Sequence, residues 1–362
     1  MKIFRGFHHP DVAPASAVTI GNFDGVHRGH QAMLALLRNE AHLRGVPSCV
    51  LTFEPHSRDY FAGVRNERDF APARVGTLRD KLTELKRCEV DQVVVLPFNA
   101  RLAAQSPQAF VDEVLVQGLG ARYVLVGDDF RFGARRAGDY AMLDAAGAAR
   151  GFDVARMLSY QISNPHAQHS VSSPPPEGEP AALGRPDGYG LRVSSSAVRD
   201  ALAAGRLADV ARLLGRPYTI SGHVVHGAKL GRNLGFRTLN LRFKHWKPAA
   251  GGIFVVQVRG LADVPLPGVA NLGVRPSLDP RDVNGGRVLL ETHCLQWPAH
   301  LGAEGAYGKI IQVELLHKLH DELRYDGLDA LKAGISRDCD EARAFFTSLH
   351  AQTHRQTTRD RI

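Results

Sequence analysis

The sequence has little cysteine, and what it has is scattered: Cys49, Cys88, Cys294 and Cys339 form no C-x-x-C pair. That excludes a disulfide framework and the common zinc spacings. No apolar run approaches the ~20 residues that span a bilayer, and the opening MKIFRGFHHPD holds no apolar signal core. A cytoplasmic protein with no membrane partner is expected. No basic run and no nucleic-acid-binding module accompanies the net charge of +8, so that charge fits nucleotide phosphates as well as it fits nucleic acid. Neither a Gly-Lys-Ser/Thr P-loop nor a G-x-G-x-x-G fingerprint is present where a phosphate loop is otherwise suggested. No internal repeat is visible, and 362 residues are long for a single core, which points to two domains.

What is present is Gly21 to Gln31, GNFDGVHRGHQ, directly after the run Ala17-Val18-Thr19-Ile20. A β-branched run, glycines, and then His-x-Gly-His opening an apolar-periodic stretch predict a strand, a tight loop and a helix start. The first turn of a helix offers unpaired N–H groups and the positive end of its dipole, so an anion is favoured there. Gly21, Gly25 and Gly29 let the chain approach closely, and His27 and His30, three apart, can add donors to a phosphate during transfer. A pair of histidines at a helix start can also serve as caps alone. The preceding Phe23-Asp24-Gly25-Val26 favours the phosphate site.

Along the chain, helices over 31–44 and 77–87 and around Phe110 and Val114 alternate with strands over 49–53, 91–96 and 123–127. That alternation predicts a parallel sheet with ligands at the carboxyl ends of its strands. Three loops fall there: GNFDGVHRGH, TFEPH and GDDFRFG. Residues 163 to 190, with SSPPPEGEP at their centre, read as a surface excursion poor in apolar anchors. Ser194-Ser195-Ser196 then caps a helix over 196–204, and a second helix follows over 207–214. From Tyr218 the pattern becomes strand after strand (218–225, 253–258, 288–293, 310–315), which predicts an antiparallel barrel. A helix over 328–349 packs on it. The expected division is 1–215, 216–350 and a tail over 351–362.

The ordered motifs GNFDGVHRGH, TFEPH, GDDFRFGARRAGD, VSSSAVR, LLGRPY, SGHVVHG, GRNLGFRTLN, GVANLGVRP and ETH resemble the prokaryotic bifunctional riboflavin kinase/FMN adenylyltransferase family, along nearly the whole chain. The resemblance implies an α/β, Rossmann-like nucleotidyltransferase domain followed by a six-stranded antiparallel barrel with a C-terminal helix. It implies riboflavin, FMN and ATP as substrates, Mg2+ as the metal, and no nucleic-acid partner. By the motif match, His27 and His30 would hold ATP phosphates within a loop of Gly21, Asn22, Phe23, Asp24 and Gly29. Asp129, Ser195, Ser196 and Arg199 would bind nucleotide, although a turn residue, a helix cap and a solvated helix charge are their plainer readings. Glu291, out of place in the apolar strand Leu289-Leu290-Glu291, would be the kinase base. Thr238 and Asn240 would coordinate the metal, and Gly231 and Gly235 would keep the adjoining loop close to phosphate.

Two departures stand out. The family's Pro-Thr-Ala-Asn reads Arg237-Thr238-Leu239-Asn240, which gives up proline's fixed φ. A looser free loop is expected, with Arg237 facing away from the phosphates because neighbours on an extended stretch alternate. This leaves open an adenylyltransferase whose barrel only binds flavin. The second departure is the long excursion over 163–190. Replacing 172–183 with a short Gly-Ser linker should leave thermal stability near that of the parent, and a large fall in Tm would show that the segment packs.

Overall fold

The computed structural model describes residues 1–163, 190–227, 235–243, 245, 247–274, 288–302 and 304–359. Gly231 and nearly all of the excursion over 163–190 lie outside these residues. The first sheet is built from β1 (Lys2–Arg5), β2 (Ser16–Ile20), β3 (Ser48–Glu54), β4 (Gln92–Pro97), β5 (Ala121–Gly127) and β6 (Asp153–Met157). Their order is β1-β4-β3-β2-β5-β6. β1 runs parallel to β4, β2 to both β3 and β5, and β5 to β6. The apolar runs of β2, β4 and β5 are buried, as strands covered on both faces must be.

Helix α1 (Arg28–Leu43) turns Leu34, Leu37 and Ala41 inward and carries the chain from β2 to β3. β5 lies on the other side of β2, so the strand order reverses there. A crevice at the carboxyl ends of β2 and β5 is where such sheets place ligands. The loop after β5 is closed by packing. Gly138 faces the Phe132 ring so closely that a Cβ would sit 2.7 Å from it.

The second sheet closes into a barrel ordered β10-β13-β12-β11-β14-β9: β9 (Thr219–Val225), β10 (Thr238–Arg242), β11 (Gly252–Arg259), β12 (Leu266–Val274), β13 (Val288–Cys294) and β14 (Ile310–His320). Every pairing around it is antiparallel. Leu241, Leu272 and Leu290 fill the interior, alternating with residues that face outward. The terminal helix runs past Leu349 to Arg359, longer than the periodicity predicts. It buries Cys339, Ala342 and Phe346 against Val255 and Val269 on the barrel's outer face. All four cysteines are free. Burial pushes the Cys49 and Cys294 thiols up to about 12, which leaves them unreactive.

By packing, the chain forms two compact units, Met1–Thr52 with Cys88–Ala197, and Phe53–Arg87 with Val198–Ile362. The second unit therefore takes α2 (Ser57–Arg65) and α3 (Leu78–Arg87) together with the barrel. Asp80 is the reason at α3. Its carboxylate accepts from Thr77 N (2.9 Å), Thr77 Oγ1 (2.7 Å), Ser221 N (3.0 Å) and the Ser221 hydroxyl. Tyr218 adds a hydrogen bond from its hydroxyl to the Val75 carbonyl at 2.8 Å.

The terminal helix is also held by charge. His320 Nε2 lies 2.9 Å from Asp338 Oδ1, and His320 Nδ1 donates to the Asp321 carbonyl at 2.7 Å. Burial pulls the imidazole pKa down, but those hydrogen bonds and the nearby charges of Asp338 and Glu341 outweigh it and raise it above 6.5. A raised folded-state value stabilises fully below the unfolded value and loses that contribution as pH rises through the folded one. Asp338→Asn should therefore lower Tm more at about pH 5.5 than at about pH 9. A gap that is equal at both would show that the histidine does not titrate against Asp338.

Candidate active sites

The loop after β2 is strained and tightly packed. Phe23 and Val26 take φ of +48° and +41°, a region that L residues, β-branched ones above all, rarely occupy. Both side chains are nonetheless buried. The glycines make room for rings as much as for backbone. A Cβ at Gly21 would lie 3.1 Å from the Phe23 ring, and one at Gly29 would lie 3.2 Å from His27 Nδ1.

His27 sits at the N-cap of α1, and its Nδ1 accepts from the His30 N–H at 3.3 Å. An accepting Nδ1 puts the neutral ring's proton on Nε2. The His27 and His30 rings stack with centroids 3.6 Å apart and 16° between planes, and Phe23 packs against His30 at 4.9 Å. The same side chain thus caps α1 and carries the ring stack. Asn22 turns a buried Oδ1 into this loop without a hydrogen-bond partner.

Helix α7 (Ser195–Ala203) begins one residue earlier than its sequence pattern predicts. Ser194 is its cap, accepting from Ala197 N at 3.1 Å, which frees Ser195 Oγ to donate to the Asp24 carbonyl at 2.9 Å. Asn22, Phe23, Asp24, His27, His30 and Ser195 are therefore brought together. Ser196 is exposed, and so is Asp129 on the loop after β5. It is the neighbouring Asp128 that is engaged, with the Ser159 hydroxyl and with Arg192 at 3.4 Å. Arg199 Nε donates to the Ala73 carbonyl at 2.7 Å.

On the barrel, strand register builds a second candidate site. Asn240 pairs with Glu291 across β10 and β13, and Glu291 pairs with Asn271 across β13 and β12. Two residues along, on the same face, Thr238 pairs with His293. The outward face of three adjacent strands thus carries Asn240, Glu291 and Asn271 in one row, with Thr238 and His293 beside it. Asn271 Oδ1 is buried without a hydrogen-bond partner. Gly227 leaves the space that Asn240 fills, since a Cβ there would lie 2.6–2.8 Å from the amide atoms. Gly235, exposed with φ of +90°, opens the segment before Thr238.

No group of three His, Cys, Asp or Glu residues suited to a metal occurs among the described residues. Hydroxyl, amide and carboxylate oxygens in a row instead suit a hard cation that shares its shell with phosphate, so the residues fit magnesium. Burial lowers the His293 pKa, partly countered by its hydrogen bond to the Arg237 carbonyl at 2.8 Å. Asn271, His293 and Gly227 stand in motifs the sequence displays, but only the register reveals what they touch.

The FAD synthetase family model matches residues 9–173, and the riboflavin kinase model matches residues 214–346. The bifunctional riboflavin kinase/FMN adenylyltransferase of Escherichia coli K12 is 42% identical over 348 residues, covering 96% of this chain and 98% of that protein. The chain belongs to the bifunctional riboflavin kinase/FMN adenylyltransferase family. The enzymes of that name from Pseudomonas fluorescens and Haemophilus influenzae are 40% and 38% identical, covering 95% and 96% of this chain and 97% and 100% of theirs. A solved structure described as a macrolide-efflux protein from Streptococcus pneumoniae shares the fold, with TM-score 0.65 over 94% of this chain and 98% of that one, at 21% identity.

Within this family member the barrel row makes a sharp demand on Gly227. Gly227→Ala should displace Asn240 and slow riboflavin phosphorylation by ~10²-fold, the cost typical of misplacing a positioning group. FMN adenylylation should continue at the parent rate. A kinase rate within about two-fold of the parent would show that Asn240 has room to shift.

Proposed function

We infer that this chain makes FAD from riboflavin in two ATP-dependent steps, phosphorylation to FMN on the barrel and adenylyl transfer to FMN at the β2 loop. The row of Asn240, Glu291 and Asn271 beside Thr238 supports the kinase half most directly. A barrel kept only for flavin binding has no need of a carboxylate flanked by two amides. We assign the enzyme to the cytoplasm, where ATP for both steps is made.

In the kinase step Glu291 takes the proton of the ribityl hydroxyl as that oxygen attacks the γ-phosphorus of ATP, the bond to the β,γ-bridging oxygen breaks and ADP leaves. Thr238 and Asn240 would hold Mg2+, which when bound neutralises phosphate charge. Asn271, on the far side of Glu291, orients the carboxylate or the incoming hydroxyl. Gly235, just before the stretch that carries Thr238 and Asn240, lets the backbone come near the phosphates.

In the adenylyl step a phosphate oxygen of FMN attacks the α-phosphorus and pyrophosphate leaves, so positioning and charge stabilisation dominate. His27 donates from Nε2, and His30, stacked on it, holds the ring in place and contributes to the phosphates. Gly21, Asn22, Phe23, Asp24 and Gly29 shape the pocket, with Ser195 tied to the Asp24 carbonyl. Asp129, Ser196 and Arg199 bind nucleotide by the same motif assignment.

The two sites should separate by mutation. Glu291→Gln should cut FMN formation by roughly 10²–10⁴ yet still convert supplied FMN to FAD. His30→Ala should do the reverse, and chromatography of flavin products reads both. Equal loss of both activities in either folded variant would overturn the assignment of separate sites.

A further inference from the structure

Arg237, which stands in the place of the family's proline, is fixed at both ends. Its Nη1 donates to the Gly302 carbonyl at 2.9 Å, and its guanidinium lies 4.8 Å from the centroid of the Trp297 ring. Trp297 Nε1 donates to the same Gly302 carbonyl at 2.8 Å. The cation–π contact and the shared acceptor lock the two side chains together. At the other end, the Arg237 carbonyl accepts from His293 Nδ1 at 2.8 Å. A carbonyl oxygen only accepts, so Nδ1 carries the proton. The His293 ring is in turn braced edge-on by Phe236 at 5.4 Å and 88°, and Phe236 packs against the core under the terminal helix.

We propose that Arg237, Trp297 and His293 form a clamp that positions Thr238 and Asn240 for the nucleotide phosphates, taking over the restraint a proline would give. The inference rests on the kinase reading above. Arg237, Trp297 and His293 act as positioning residues, none of which needs to touch substrate. The looser segment expected from the loss of proline is not what the described residues carry. Phe236, Arg237 and Thr238 are pinned in succession by a ring contact, by two hydrogen bonds and a cation–π contact, and by strand pairing with His293. Arg237 serves here because its planar fork both stacks on Trp297 and donates to a carbonyl, which a lysine does less well.

If the clamp preorganises the segment, losing it makes the nucleotide order the strand on binding. That cost falls on ground state and transition state alike, so KM rises and kcat holds. Arg237→Ala and Trp297→Ala should raise the kinase KM for MgATP on the order of ten-fold with kcat within about two-fold. His293→Asn places an amide N–H where Nδ1 stood and should behave like the parent. His293→Gln moves the donor one bond outward and should behave like Arg237→Ala.

A second readout needs no nucleotide. The chain has two tryptophans, so in a Trp246→Phe background the fluorescence of the ligand-free protein reports Trp297 alone. Acrylamide quenching should rise on Arg237→Ala and on His293→Gln but not on His293→Asn. Unchanged quenching in folded Arg237→Ala, or an unchanged KM, overturns the clamp while the kinase assignment stands. If the parent does not phosphorylate riboflavin, the functional reading fails instead, and the quenching still decides whether the clamp exists.

Discussion

A closed barrel has no free edge, so chemistry on it must come from the outward positions of its strands or from its loops. Alternation leaves every second residue for that purpose, and the interior claims the rest. β13 shows the consequence: Val288, Leu290, Thr292 and Cys294 are buried, while Leu289, Glu291 and His293 face out. Since the period is two, a one-residue slip would exchange the row of Asn240, Glu291 and Asn271 for the core row. The outward row is therefore as firmly specified as the hydrophobic core. The terminal helix covers the neighbouring outward positions Val255 and Val269, so part of this face is given to packing.

The β2 loop meets a different constraint with different means. Positive φ at Phe23 and Val26 costs of order 1–3 kcal/mol each. Full burial of side chains of this size returns roughly 1.5–3 kcal/mol each, so the two effects are of the same size. The loop holds an unfavourable backbone because its apolar side chains are anchored. That backbone in turn sets the stacked His27 and His30 rings at the start of α1.

What the sequence made legible follows from the range of the interactions. The apolar runs of β2, β4 and β5, the helix over 207–214 and the His-x-Gly-His start all announce themselves locally. β10 and β12 do not, because Arg237-Thr238-Leu239-Asn240 and Gly268-Val269-Ala270-Asn271 break the apolar pattern with the polar residues the outer face carries. α2 and α6 (Tyr140–Arg150) carry weak sequence signals for a similar reason, α2 being mostly polar and α6 mostly small residues. The histidine pair and Glu291 were readable from motif and context. The contacts of Asn271, Gly227 and His293 were not, because they depend on strands distant in sequence coming into register. The same holds for Arg237, whose partners lie 56 and 65 residues away.

Arg74 ties together segments in the same long-range way. Its side chain is 4% exposed, with Asp59 Oδ2 at 2.7 Å and Glu54 Oε2 at 3.7 Å. A buried ion pair is weak grounds for stability, since apolar residues of similar volume often do as well, whereas losing one partner costs about 3–5 kcal/mol. Its place in the chain explains it better. Glu54 ends β3 and Asp59 lies in the first turn of α2, so a single guanidinium fixes how the chain turns through Pro55 and His56. The next residue back, Ala73, gives its carbonyl to Arg199. One buried cation thus fixes the exit of β3 beside the carbonyl that anchors Arg199, which an apolar substitute could not direct.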